Sequence, residues 1–524
     1  MPKRRFVIVF LVTLLLGVQF ACALTPSGSQ DNKLTVLAGS ELKDLEPLFE
    51  DIRRNAGIEL EMSYTGTLDG AERLMAGEPT DLAWFSHAKY LNLIQEAKSR
   101  VLVQEKIMLS PVILGVKHSK AEAWGWVDNP GLTWKDVVDK AGSGDLKYAM
   151  TNPASSNSGF TALVGAAAAL SASGDALQSD DIIRVNDQLK QFFKGQTLTA
   201  GSSGWLADQY VLDQDRLDGI INYESVLLGL NKSGKLHEPL YLIYPKEGIL
   251  TADYPLLLIN EQKRDAYNRL VEYLRSPEFQ KKMMELTLRR PIVPSVPLSA
   301  DFPDRLLVEL PFPSSREVVD QLLFAYLDKQ SVPPHAYYLL DVSGSMQGER
   351  LESLIDAMNR LTGTDTSLTG QFARFRDREQ LTILAFNGEI QDERSFEIKL
   401  SQPESIQAIQ SFVNSLQADG KTAIFSTLQE AYTMAIQTRQ QDPNRYFSIV
   451  LMSDGENTAG ESLQDFTNYY QATPEAKNIK TFVILFGEAS ASDMQEIADL
   501  TGGRLFDARS TPLNVIFKEI RGYQ

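Results

Sequence analysis

Asp341, Ser343 and Ser345 fall within five residues, directly after the apolar run Tyr337, Tyr338, Leu339, Leu340. Two more loops offer similar groups: Thr422 follows Gly420 and Lys421 at the start of a helical pattern, and Ser453 and Asp454 close the apolar run 447–452. Short apolar runs bounded by small polar residues read as buried strands feeding loops, so three loops present two carboxylates and several hydroxyls. An oxygen-only set of this kind suits a hard cation such as Mg²⁺, which takes six oxygens at about 2.0–2.1 Å and keeps several waters. Other chemistries lack a part. Gly420-Lys421-Thr422 mimics the end of a phosphate-binding loop, but Ser415 stands where that motif needs glycine. The four histidines, at 87, 118, 237 and 335, show no paired zinc spacing, and Ser343 has neither a Gly-x-Ser-x-Gly elbow nor a histidine following it. Binding rather than catalysis is the expectation.

The elements around these loops alternate. An amphipathic helix carries Leu351, Leu354, Ile355, Met358 and Leu361, strands are expected at 381–386 and 481–486, and a Thr501-Gly502-Gly503 turn precedes Leu505 and Phe506. Residues 334–524 resemble the von Willebrand factor A domain with its metal-ion-dependent adhesion site. The resemblance implies a doubly wound Rossmann-like sheet, and its motif falls on Asp341, Ser343, Ser345, Thr422 and Asp454. It implies Mg²⁺ or Mn²⁺ there, with the hydroxyls as direct ligands and the aspartates acting through water. One coordination position would stay open for a carboxylate on a protein partner.

Upstream, strand, turn and helix patterns repeat from Leu34, and each strand runs into small hydroxyl residues: Ser40, then Thr65 and Thr67, then Ser86. In an open parallel sheet a ligand sits beyond such strand ends. A strand at 111–117 reads as leaving this lobe. A second lobe offers Ser155, Ser156 and Ser158 at a helix start and Glu224 after the strand 219–223, and runs at 241–244 and 255–259 read as strands returning to the first lobe. Two lobes imply one cleft. Residues 33–311 resemble bacterial extracellular solute-binding proteins of the two-lobed periplasmic type II fold. That resemblance implies a solute held between the lobes by Ser40, Thr65, Thr67, Ser86, Ser155, Ser156, Ser158 and Glu224. Hydroxyls and helix N-termini favour an anion, although they also serve as ordinary helix caps, and Glu224 points instead to an ammonium or a metal-bearing ligand.

The 524 residues give a net charge of −17, which argues against nucleic acid as a partner. Lys3, Arg4 and Arg5 precede an apolar run over residues 6–18, a signal-peptide pattern spanning 1–23. Cys22 is the single cysteine, so no disulfide staples a domain. Its setting fits either a lipobox that acylates Cys22 and holds the chain at a membrane, or cleavage after Ala21-Cys22-Ala23 that removes it. Residues 24–32 read as a tether, and the prolines at 311, 313, 333 and 334 bound a helical linker at 312–334 before the last domain at 335–524. The expected protein is exported, joining a solute cleft to a cation-dependent docking site. The alternative is a transport receptor with an accessory dock, and a metal-dependent hydrolase comes third.

Overall fold

The computed structural model describes residues 32–454, 456–486 and 491–524. The signal sequence, Cys22 and all of the tether but Asn32 therefore lie outside the described residues. Three sheets carry the fold.

In the first lobe, Lys33–Gly39 lies between Glu59–Thr65 and Leu82–Trp84, parallel to both, and Pro255–Leu258 adds antiparallel between Leu82–Trp84 and Val103–Lys106. The second lobe is built on the long strand Met108–Lys117, buried at nearly every position. Gly219–Tyr223 and Leu240–Ile243 pair antiparallel with it, and Tyr148–Thr151 and Gln196–Ala200 extend the sheet on the Gly219–Tyr223 side. The chain crosses between lobes at Ile107 and again at Asp253 and Tyr254. The expected return at 241–244 does not occur, because Leu240–Ile243 registers Leu114 against Ile243 and stays in the second lobe. Only Pro255–Leu258 returns.

Local chemistry sets the helices that face the cleft. The stretch with Leu42, Leu45 and Leu48 is a 3₁₀ helix, Ser40–Leu48, because Pro47 removes a donor that an α-helix would use; the α-helix Phe49–Ala56 follows and ends on Gly57 in the left-handed region. The small-residue helix Asn157–Ser171 is buried almost end to end. Its alanines and Gly159 allow the close approach: a Cβ on Gly159 would sit 2.2 Å from the Thr151 carbonyl.

Past Pro311, the Ser315 hydroxyl accepts from the Val318 N–H and starts helix Arg316–Ala325, which buries Val318, Val319, Leu322 and Leu323. The last domain is a six-stranded sheet centred on Pro334–Asp341, which runs parallel between Gln380–Phe386 and Tyr446–Ser453. Lys480–Leu485 and Arg504–Asp507 continue it in parallel, and the edge strand Ile390–Glu397 is antiparallel. All eight residues of Pro334–Asp341 are buried, as expected of a central strand covered on both faces. Three loops therefore converge at one end of this sheet. Among the described residues no helix is long and apolar enough to cross a membrane.

Candidate functional sites

The first site lies where strands Pro334–Asp341 and Tyr446–Ser453 end. Asp341 is fully buried; its Oδ1 accepts the Ser343 N–H at 2.8 Å and its Oδ2 accepts the Ser453 hydroxyl at 2.6 Å. The carboxyl is thus fixed by its own loop and by the neighbouring strand. Burial raises it above the usual carboxylate range, against the hydrogen bonds from Ser343 and Ser453. The Ser343 and Ser345 hydroxyl oxygens are 3.1 Å apart, and the Ser345 hydroxyl donates to Asp454 Oδ1 at 2.8 Å. The second loop is tied in through its backbone: the Gly344 N–H donates to the Gly420 carbonyl at 3.1 Å, and the Asp419 N–H to the Val342 carbonyl at 2.9 Å. Thr422, buried two residues on, donates its N–H to Thr458 Oγ1 at 2.9 Å.

Hydrogen bonds thus link Ser343 to Asp341 and Ser345, and Ser345 to Asp454, while the loop of Thr422 joins them through its backbone. Around an octahedral Mg²⁺ with bonds near 2.1 Å, adjacent oxygens are about 3 Å apart, and the 3.1 Å Ser343–Ser345 separation matches that edge. The donor set fits a hard cation. Among the described residues no group of three His, Cys, Asp or Glu side chains gathers. One residue escaped the sequence reading: the exposed guanidinium of Arg350 pairs with the fully buried Asp454 carboxylate and donates to the Ser345 carbonyl at 3.2 Å. A basic residue one helical turn past the serines was the available signal.

The second site is the seam between the lobes. There the lobes touch: His87 Nε2 lies 3.2 Å from Thr161 Oγ1, the Tyr90 and Phe160 rings are 5.7 Å apart edge to face, and a Cβ on Gly66 would sit 3.0 Å from the Ser155 carbonyl. Thr67, Leu68, Tyr90, Ser155, Asn157 and Phe160 line this seam. Burial lowers the His87 imidazole to about 3, so it is neutral at physiological pH.

The eight expected cleft residues divide. Thr67 Oγ1 and Ser86 Oγ are buried without a hydrogen-bond partner among the described residues. Ser155 and Ser156 lie at the seam, the former donating to the Asn152 carbonyl at 3.3 Å. Ser40 is exposed at the first turn of its 3₁₀ helix, and Thr65 donates to Asp69 on its own lobe. Ser158 is engaged with Thr151 at 2.8 Å and Ser203 at 2.7 Å. Glu224 is fully buried and grips Arg290 through two bonds of 2.7 and 2.8 Å while accepting the Tyr244 hydroxyl. Its charge is satisfied inside the second lobe.

Sequence reading missed the groups that share the seam with Thr67 and Ser86. Glu41 Oε1, Tyr223 Oη, Tyr254 Oη and Arg289 Nε are all buried without partners among the described residues. The Tyr223 and Tyr254 rings lie 6.1 Å apart, and burial raises the Glu41 carboxyl and both phenols. Arg289 itself holds Asp44 through two 2.7 Å contacts and lies 4.8 Å from the Tyr254 ring centroid. Buried polar atoms in folded proteins are nearly always hydrogen-bonded, which makes this cluster the candidate floor of the cleft. Tyr223 sits directly before Glu224, and the strand end that drew attention to the glutamate was also the signal for the tyrosine.

Comparison with known proteins gives two separate matches. Residues 34–285 match the family model described as bacterial extracellular solute-binding protein, and residues 337–519 the one described as von Willebrand factor type A domain. Among curated proteins, human inter-alpha-trypsin inhibitor heavy chain H3 is 26% identical over 171 residues, 32% of this chain and 18% of that protein; pig heavy chain H2 is 26% identical over 141 residues, 26% of this chain and 14% of that protein. The chain spans less than a fifth of these relatives. Among solved structures, the periplasmic binding protein AfuA of Actinobacillus pleuropneumoniae is 14% identical, covering 57% of this chain and 98% of that one with a TM-score of 0.44. The ferric binding protein of Campylobacter jejuni is 16% identical, with 56% and 96% covered and a TM-score of 0.42. A von Willebrand factor type A protein of Catenulispora acidiphila is 19% identical, with 37% and 43% covered and a TM-score of 0.30.

Proposed function

We propose, from the premise that this chain carries a bacterial extracellular solute-binding domain over residues 34–285 and a von Willebrand factor type A domain over residues 337–519, that it is an exported binding protein. Its second domain docks a protein partner through a divalent cation. The residues that would hold Mg²⁺ or Mn²⁺ are Asp341, Ser343, Ser345, Thr422 and Asp454, within the domain bounds 33–311, 312–334 and 335–524. When bound, the ion supplies an under-neutralised positive centre for a partner's carboxylate. Ser343, Ser345 and Thr422 contribute hydroxyl oxygens. Asp341, pinned by Ser343 and Ser453, orients the loop, and Asp454 holds the Ser345 hydroxyl and would act through water. The reading is carried by the near-3 Å spacing of the Ser343 and Ser345 oxygens.

Binding rather than catalysis is supported by the surroundings of Ser343. Its hydroxyl meets Ser345, and the nearest histidine in sequence, His335, sits at the opposite end of the strand, bonded to Thr382 at 3.0 Å. The extracellular solute-binding family implies export; Cys22 as a lipid attachment would add a membrane anchor. The unpaired hydroxyls of Thr67, Ser86, Tyr223 and Tyr254 favour a second role, reception of a small solute between the lobes, and the protein then serves a transport system with the last domain as its dock.

Calorimetric titration of the purified protein with Mg²⁺ and Mn²⁺ tests the first reading. Wild type is expected to show saturable binding that disappears in Asp341→Ala and Asp454→Ala with an unchanged circular dichroism spectrum. Equal binding in wild type and both variants overturns the assignment.

A further inference from the structure

The last helix of the chain, Leu513–Tyr523, touches both lobes of the solute-binding domain. Ile516, Phe517 and Ile520 bury one face of it in a hydrophobic core that its own domain shares with the second lobe. Its Lys518 ammonium lies 4.0 Å from the carboxylate of Glu72, on first-lobe helix Thr67–Met75, and donates to Thr369 Oγ1 at 2.7 Å. Glu72 in turn accepts the Thr369 N–H at 3.0 Å and the Thr369 hydroxyl. At the other end of the same helix, the Arg521 carbonyl accepts from Asn152 of the second lobe at 3.3 Å, and the Tyr523 ring meets Trp205 edge to face at 4.8 Å. Between these anchors Gly522 lies against Ser155, where a Cβ would come within 2.7 Å of the serine hydroxyl. Ser155 is a seam residue. One helix turn of a different domain therefore sits on the rim of the cleft, with a foot on each lobe.

The two feet differ in kind. The second-lobe contact is apolar and reinforced from the sheet: Lys480 lies 4.9 Å from the Trp205 ring centroid, donates to Gln209, and reaches within 3.8 Å of Asp213. The first-lobe contact is a small polar cluster of Glu72, Thr369 and Lys518, whose ammonium also lies 3.6 Å from Asp365 of its own domain. Partly exposed ion pairs contribute little and weaken with salt, whereas buried aromatic contact persists.

We propose that helix Leu513–Tyr523 braces the solute-binding domain alongside the linker, whose Asp320 accepts from Tyr90 of the first lobe and whose Tyr326 donates to Gln196 of the second, and that release of Glu72 by the von Willebrand factor A domain, which stays with the second lobe, lets the lobes separate. Solute entry is then tied to the pose of the docking domain. The consequence for solute rests on the cleft reading above; the movement itself does not, and the experiment reads it without a solute. Spin labels are placed at Lys98→Cys on the first lobe and Lys190→Cys on the second, both exposed, in the full chain carrying Cys22→Ser. Pulsed dipolar spectroscopy then gives the inter-lobe distance distribution.

The unaltered brace is expected to give one narrow population. Glu72→Ala removes the polar foot, and Gly522→Leu forces the helix away from Ser155; each is expected to add a longer-distance population, which 0.5 M NaCl also promotes. A distribution unchanged in both variants overturns the proposal, as does a broad one with the brace intact. Mg²⁺ titration of the same two variants separates the readings. Retained Mg²⁺ binding alongside longer distances supports the brace on an intact docking domain; loss of Mg²⁺ binding in both would assign the opening to misfolding of that domain and overturn it.

Discussion

In the loops of the candidate cation site, three of five expected oxygens come from residues 341–345, and the backbone of that one loop begins to aim them: the Ser343 N–H fixes Asp341 from within the loop. The seam between the lobes is assembled from residues as far apart as Glu41 and Arg289, and its unpaired groups are scattered over several elements of both lobes. The first arrangement is local, so residue type and spacing already describe it. The second exists only after two crossings of the chain have set one lobe on the other. A serine at a strand end has the same appearance whether it caps a helix, as its type commonly does, faces a ligand, or bonds to another serine. Ser158, with Thr151 and Ser203 as partners, and Thr67, with none among the described residues, could not have been told apart beforehand.

Glu224 is the sharpest case of that difference. Read as a solute contact, its loss would cost affinity; bonded to Arg290 across 66 residues in a fully buried pair, its loss costs the fold. Removing one partner of a buried ion pair costs about 3–5 kcal/mol because the other charge is stranded. Glu224→Ala is therefore expected to lower the urea midpoint of the solute-binding domain by that equivalent, the largest effect among these variants. A variant as stable as wild type would return Glu224 to the ligand.

Next in size is the pH response of the seam. His87 in the folded protein titrates at about 3, its protonation disfavoured by burial, whereas an unfolded histidine titrates near 6.5. Between those values the unfolded chain binds the proton and the folded chain does not, so the stability His87 provides is complete above about pH 6.5 and is lost as pH falls toward 3. From pH 7 to pH 5 the loss is expected to be about 2 kcal/mol. Urea titrations at both pH values check this, and His87→Gln is expected to remove that part of the difference.

Arg350 brings the comparison back to the loops, and it shows where a local motif stops being legible. Its position five residues past Ser345 is plain in sequence, but its partner Asp454 lies 104 residues on, and only the parallel pairing of Pro334–Asp341 with Tyr446–Ser453 joins them. A guanidinium on Asp454 competes with a divalent ion for the same carboxylate. The pair is half exposed on the arginine side, which limits its strength to about 1 kcal/mol or less. Arg350→Ala is expected to tighten Mg²⁺ binding about two- to fivefold, read by the calorimetric titration that defines the site. Weaker binding would make Arg350 a support of the loop instead.

The smallest effect decides most directly what the strand-end hydroxyls do. Ser158→Ala removes a buried hydroxyl that bonds to Thr151 and Ser203, which is expected to cost about 1 kcal/mol. Thr67→Val keeps the shape and removes a buried hydroxyl that bonds to nothing among the described residues, so no hydrogen bond is lost and the polar atom is no longer stranded; stability is expected to hold or rise slightly. The pair of urea midpoints separates a hydroxyl used by the fold from one held for a ligand. Equal losses in both would mean that Thr67 is as much a part of the framework as Ser158, and the floor of the cleft would shrink to Ser86, Glu41 and the two tyrosines.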